Sequence, residues 1–207
     1  MDELCLKLSE LLFTVSEQEL KVELERQNLA SMKHLLPKII FDCVISPDPP
    51  QKKNKYADPS DLISFMTKFS GKRSMKELRE CDFHNIFKIF DYNHDGYLDF
   101  EDFILFLLPQ DASELRYSLE KTVEQEKAME KYSFKLQIHK KYLIQICKVI
   151  EKEIKYHRRV EKLKREIEKL PGFSILALFR AIDTEGKNFL GKPLSFLIFV
   201  NRLGTNT

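Results

Sequence analysis

Residues 91–102 constrain this chain more than any other stretch. They read Asp91-Tyr92-Asn93-His94-Asp95-Gly96-Tyr97-Leu98-Asp99-Phe100-Glu101-Asp102. A hard cation such as Ca²⁺ takes about six to eight oxygen ligands on a tightly curved loop. Asp91, Asn93 and Asp95 can each turn a side-chain oxygen inward. Gly96 follows them, where a loop bends sharply and φ turns positive. Phe83, Ile86, Phe87 and Phe90 precede the run at helical spacing, and Phe103, Phe106 and Leu107 follow it in the same way. The pattern predicts a cation-type loop between two apolar-lined helices.

Loop and flanks together resemble the EF-hand of the calmodulin superfamily. The resemblance implies that Asp91, Asn93 and Asp95 ligate from loop positions one, three and five. It implies the Tyr97 backbone carbonyl at position seven, Asp99 acting through a water, and Asp102 at position twelve. Leu98, at position eight, is expected to join the short strand contact that couples paired hands. The expected cofactor is Ca²⁺ or Mg²⁺ at one site. One residue departs from the pattern: Asp102 stands where glutamate is usual. Glutamate reaches Ca²⁺ with both oxygens, whereas aspartate is a methylene shorter. That tilts the site toward Mg²⁺ or weaker Ca²⁺ binding. The alternative is a loop that keeps its shape without metal. Glu101 is expected to point away, and His94 to be a solvated loop residue.

The rest of the chain reads as helices with a few breaks. Six glycines in 207 residues, and polar positions dominated by lysine and glutamate, favour helix over sheet. Leu4, Leu8, Leu11, Leu12, Val15, Val22 and Leu29 predict a helix over 2–30. A second helix is expected over Met32–Val44. Pro47, Pro49 and Pro50 then exclude helix across 46–57. Asp58 suits a helix N-cap, with Pro59 in the first turn and Asp61 complementing the dipole. Ser74 with Glu77 reads as a capping box opening a helix that runs to Phe90. Another helix spans about Phe100 to Leu108, ahead of Pro109. From Asp111 to Leu170 there is neither glycine nor proline. Even so, Tyr132, Phe134, Leu136 and Ile138 alternate with polar residues. That predicts a helix over 112–130, an extended break near 131–137, and a second helix over 139–170.

The expected fold is all-α: one or more EF-hand lobes joined by long charged amphipathic helices, with short β contacts only where loops pair. The domains read as an N-terminal amphipathic helix (1–31), a hand pair (32–110), a charged helical linker (111–170) and a degenerate unpaired hand (171–207). In the pair, the first hand has helices at 32–44 and 60–69 and a loop too long and too poor in ligands to bind. In the last hand, Phe179-Arg180-Ala181-Ile182-Asp183 echoes Phe87-Lys88-Ile89-Phe90-Asp91. There Lys187, Asn188 and Leu194 replace ligand, glycine and terminal carboxylate, so that copy is expected to bind no metal. The sequence ends at Thr207, before any fourth hand, so cover for Phe196, Leu197, Phe199 and Val200 is expected from the 139–170 helix or another protein. Hands separated by long charged helices are also similar to those of ciliary and cytoskeletal EF-hand proteins.

Composition narrows the function. The four cysteines are scattered, and Cys81 with His84 makes an isolated C-x-x-H, so neither a disulfide framework nor a zinc site is expected. The longest apolar run, Phe103–Leu108, is far short of the ~20 residues of a membrane span. Net charge is +2, but acids gather at 91–102 and bases between 135 and 165. Lys140, Lys141, Lys155, Arg158, Arg159, Lys162, Lys164 and Arg165 form either a solvated face or a docking surface for an acidic partner, such as tubulin or another EF-hand lobe. With no recognition motif beside the charge, nucleic acid is not the expected partner. No nucleotide-binding, metalloprotease, hydrolase or kinase signature appears, so no enzyme is expected. Two functions stay open. One is a structural or adaptor protein in a cytoskeletal assembly, cytoplasmic or in the axoneme of a cilium or flagellum, bound to protein partners. The other is a Ca²⁺ sensor that exposes a hydrophobic groove for target helices.

Overall fold

The computed structural model describes residues 3–33, 35–45, 55–129 and 139–182. Its helices are α1 (Glu3–Ala30), α2 (Pro37–Ile45), α3 (Pro59–Phe69), α4 (Lys72–Glu77), α5 (Glu80–Phe90), α6 (Phe100–Leu107), α7 (Ser113–Met129), α8 (Lys140–Glu168) and α9 (Ile175–Ile182). The fold is all-α, with a single isolated bridge, Ala57 to Leu98, among the described residues. The chain divides into two compact units. One comprises Met1–Gln18 with His157–Thr207, and the other Glu19–Tyr156.

In the first unit, Leu8 of α1 and Val160, Leu163 and Ile167 of α8 are buried. Lys7 pairs with Glu166 at 2.9 Å, and Arg159 with Glu10 at 2.8 Å. These pairs are partly exposed, so each is worth about 0–1 kcal/mol and fixes alignment more than stability. The turn after α8 uses Gly172 at φ +77°, a conformation that side chains with a Cβ resist. Most of the expected third hand, 183–207, lies outside the described residues.

The second unit holds the larger core. Phe41, Phe65, Met66, Phe83, Ile86, Phe103, Phe106 and Leu107 are buried together, contributed by α2, α3, α5 and α6. Burying each such side chain is worth about 1.5–3 kcal/mol. The Phe41 ring packs at a tilt against Phe103 at 5.2 Å and Phe100 at 5.7 Å, joining α2 to the start of α6. The same cluster takes in Leu29 of α1, Leu119 of α7, and Tyr142, Leu143, Ile146, Cys147, Val149, Ile150 and Ile154 of α8. Sequence reading places those helices outside the hand pair, as an N-terminal helix and a linker. An apolar stripe shows that a helix packs, but not what it packs against. Burial pushes the Cys147 thiol up to about 12, whereas Cys81 is exposed.

Two boundaries differ from the sequence expectation. The helix expected from Met32 begins at Pro37. Proline has no N–H to lose in a first turn and disfavours helical geometry in the residue before it. The helix expected to run from Ser74 to Phe90 is split. Leu78 and Arg79 are extended, with ψ of 141° and 153°. The acid that caps the second piece is Asp82, not Glu77: its carboxylate accepts the Arg79 N–H at 2.7 Å. The 131–137 break lies outside the described residues, as does most of the proline-rich loop.

Polar anchors tie the long helices to this unit. Glu23 of α1 accepts the N–H groups of Gln110 and Asp111, at 2.9 and 3.1 Å. Burial alone pushes the Glu23 carboxyl up. The Gln110 N–H, the Gln27 amide and the Asp111 N–H, with Arg26 nearby, outweigh it and hold the group below the usual carboxylate range. Glu126 of α7 accepts the Lys38 N–H at 3.0 Å, in the first turn of α2. Tyr142 donates to the Lys33 carbonyl at 2.6 Å, and Gln145 to the Glu25 carboxylate at 2.7 Å. Arg26 pairs with Glu153, both largely out of water. Removing one partner of such a pair costs about 3–5 kcal/mol, because the other charge is left stranded.

Candidate functional site

The loop begins where α5 ends. Asp91 donates its N–H to the Phe87 carbonyl at 2.8 Å, closing the last turn of α5. Its two carboxylate oxygens turn inward and accept the N–H groups of Asp95 at 3.2 Å and Gly96 at 2.8 Å. Asn93 Oδ1 accepts the Asp95 N–H at 3.0 Å, and its amide donates to Asp95 Oδ2 at 3.1 Å. Asp95 Oδ1 in turn accepts the Tyr97 N–H at 2.9 Å. Short acids and amides thus bend the backbone by binding the amides that follow them, the ordinary habit of Asp and Asn in turns. Two residues take the left-handed conformation: Gly96 at φ +86°, as its place in the run requires, and His94 at φ +58°. Histidine is among the side chains that tolerate this region.

The loop ends at α6. Asp99 is the N-cap, accepting the N–H groups of Glu101 and Asp102 at 2.8 and 2.9 Å. Asp102 returns the bond, accepting the Asp99 N–H at 3.2 Å, and also reaches across the loop to the Tyr92 N–H at 3.4 Å. Asp102 and Asp91 are each only 5% exposed. Burial pushes the Asp102 carboxyl up. The two N–H groups oppose that, and the charges of Asp99 and Asp91 add to it, for a net upward shift.

Behind the loop, Leu98 exchanges both backbone bonds with Ala57, at 2.8 and 2.9 Å. This is the contact expected of position eight, made with the residue just before the Asp58 cap of α3. Outside it, the Tyr56 and Tyr97 rings approach to 6.3 Å. Below it, Phe90 meets Phe106 edge to face at 4.7 Å, holding α5 against α6.

The six residues singled out from the sequence therefore fall in one loop, but not in equal roles. Asp91, Asn93, Asp95, Asp99 and Asp102 all turn side-chain oxygens onto loop amides. The Tyr97 side chain turns outward, which leaves only its backbone carbonyl for a ligand role. The donor set is oxygen throughout and suits a hard divalent cation. Yet among the described residues no three Asp, Glu, His or Cys side chains stand close enough together to hold a metal. The carboxylates hold backbone amides instead, and ligation would need some of those bonds exchanged. Sequence reading missed Arg26, whose Nε–H donates to the Phe106 carbonyl at the far end of α6. An arginine on an otherwise amphipathic helix gives no sign of such a partner.

Residues 82–119 match the family model of the EF-hand domain. That stretch takes in α5 from Asp82, the loop, α6 and the start of α7. The match supports membership of the EF-hand superfamily, whose domains bind Ca²⁺. Comparison with curated proteins and with solved structures finds no match to the chain.

Proposed function

We propose that this chain is a non-enzymatic EF-hand adaptor that takes one Ca²⁺ or Mg²⁺ in the loop 91–102. The ligands would be Asp91, Asn93, Asp95, the Tyr97 carbonyl, Asp99 through a water, and Asp102. A single observation carries the choice of adaptor over sensor. Tyr142, Leu143, Ile146, Ile150 and Ile154 of the chain's own α8 are buried in the same core cluster as the apolar residues of α2, α3, α5 and α6, which a sensor would keep for a target helix. A target would have to displace a helix already buried in the lobe. Asp102 in place of glutamate supports the same choice, because a weak site is a poor switch.

The setting we propose is a cytoskeletal assembly, in the cytoplasm or a ciliary axoneme. The partner is an acidic protein surface, such as tubulin or another EF-hand lobe, bound by basic side chains between 139 and 165. Lys140, Lys141 and Lys148 support this, because they lie exposed on α8 opposite its buried stripe. Lys155, Lys162 and Lys164 support it less, since each is answered by a glutamate on its own helix.

Calorimetric titration with Ca²⁺ and with Mg²⁺, repeated beside a dye that brightens on apolar surface, tests the reading. One site with no change in dye signal is expected. A cation-dependent rise in dye signal would make the chain a sensor, and absence of heat would leave the loop purely structural. For the partner, co-sedimentation with microtubules at low salt should be weakened by Lys140→Glu, Lys141→Glu and Lys148→Glu combined. Equal sedimentation of that variant would remove the basic surface from the argument.

A further inference from the structure

Two faces of the Glu19–Tyr156 unit carry opposite charge. Between Ile89 and Leu115 there is neither lysine nor arginine, and the loop supplies Asp91, Asp95, Asp99, Glu101 and Asp102. Hydrogen bonds to loop amides spread that charge without cancelling it. Asp95 is exposed, and so are the rings of Tyr56, Tyr92 and Tyr97, Tyr92 at 70%. Rings beside carboxylates suit a surface that bears lysines. The ammonium lies over a ring face near an oxygen, and the methylene stem covers the ring. The chain uses the same pairing internally, with Lys38 over Phe100 at 5.2 Å and Lys141 over Tyr142 at 4.9 Å.

The second face is on α8. Ile144 is exposed and stands three or four residues from each of Lys140, Lys141 and Lys148, which are exposed as well. Residues so spaced are neighbours on a helix surface, so three ammonium groups surround one apolar side chain. The whole chain has a net charge of only +2, which does little to keep copies apart. Each copy therefore offers both halves of one contact: carboxylates with rings, and ammonium groups with an aliphatic centre.

We propose that the chain self-associates, the loop face of one copy seated on the Lys140, Lys141 and Lys148 face of the next. The inference rests on the basic face binding an acidic protein surface, as proposed above, and names that surface as a second copy. The two faces are unlike, so the contact is heterologous. Each added copy leaves one loop face and one basic face open, and growth continues unless the rotation closes a ring. Charge steers the contact, so salt weakens it.

Sedimentation velocity of the full chain, in chelator so that no cation occupies the loop, tests this. The mean sedimentation coefficient should rise with protein concentration in about 50 mM salt and stay flat in about 500 mM. Lys140→Glu with Lys141→Glu and Lys148→Glu blocks the basic face. Tyr92→Lys with Tyr97→Lys blocks the loop face and leaves the loop carboxylates in place. Each set should weaken association about tenfold or more, since like charges then meet. Mixed in equal amounts, the two variants keep one good loop face and one good basic face between them, and should form dimers that grow no further. Tyr92→Lys alone serves if the tyrosine pair does not fold. A wild-type chain that stays monomeric overturns self-association, as do variants that associate like wild type or that ignore each other when mixed. If the lysine variant still loses microtubule co-sedimentation, the basic face stands without self-association. If neither measurement responds to it, both readings fall.

Discussion

Helices α3 and α6 begin with the same pair of capping bonds, and only the pair at α6 is also tied across its loop. Before each stands a bridge residue, Ala57 or Leu98. Then comes an aspartate N-cap, Asp58 or Asp99, and three residues later a second aspartate, Asp61 or Asp102, that accepts the N–H of the cap. The distances nearly repeat: 2.9 and 3.0 Å in the first box, 2.9 and 3.2 Å in the second. Asp102 has a further bond to Tyr92, at the start of its loop. One box only starts a helix, whereas the other also draws the two ends of a loop together.

Phe41 is the aromatic that links α2 to the start of α6, and Phe41→Ala should cost about 3–5 kcal/mol in chemical denaturation. A single cooperative transition, shifted as a whole, is expected. If cation binding at 91–102 survived under conditions that melted α2 and α3, the two helix-loop-helix segments would be independent and the comparison empty.

The boxes themselves come next. Asp102→Ala removes a cap partner, the Tyr92 bond and a candidate ligand, and should cost about 2 kcal/mol together with any cation heat. Asp61→Ala removes a cap partner alone and should cost about 1 kcal/mol with cation binding unchanged. Equal losses measured by urea unfolding would mean that the Tyr92 bond adds nothing.

A smaller effect sharpens the contrast after α6. The Glu23 carboxyl, held low, favours the folded state above its unfolded value of about 4.3, and that stability is lost as pH falls through the lower folded value. Acid unfolding followed by circular dichroism should therefore be steeper in wild type than in Glu23→Gln below about pH 4.3. Parallel curves would remove Glu23 as an anchor. Smallest of all, Tyr97→Ala loses the exposed ring contact with Tyr56 and should lower stability by about 0.5 kcal/mol in a thermal melt.

Much of this architecture is written in local chemistry. The span of α1 follows from apolar spacing that ends in Leu29, and the cap at Asp58 from the Pro59 that follows it. The 91–102 loop follows from short acids around a glycine, which bend the backbone whatever lies beyond. What local chemistry does not carry is choice of neighbour. The stripe on α8 reads equally well as a linker face or a partner face, and only the structure shows it buried in the same core cluster as the apolar side chains of α2, α3, α5 and α6. Nor does local pattern rank competing caps: Ser74-x-x-Glu77 fits the rule, yet the helix that leads to the loop starts from the Asp82 carboxylate. Sequence reading takes Asp61 for a dipole partner and Asp99 and Asp102 for ligands; only the capping bonds and the Ala57–Leu98 contact show the two aspartate pairs to be alike.

The burial of Cys147 makes the chain its own timekeeper. A thiol-modifying reagent needs both an exposed sulfur and a thiolate, and Cys81 offers the first at once. Cys147, raised to about 12 and 2% exposed, offers neither until α8 lifts from its bed. With the partly exposed Cys5 and Cys43 replaced by serine, the lag between the two labelling events therefore measures how often the lobe breathes.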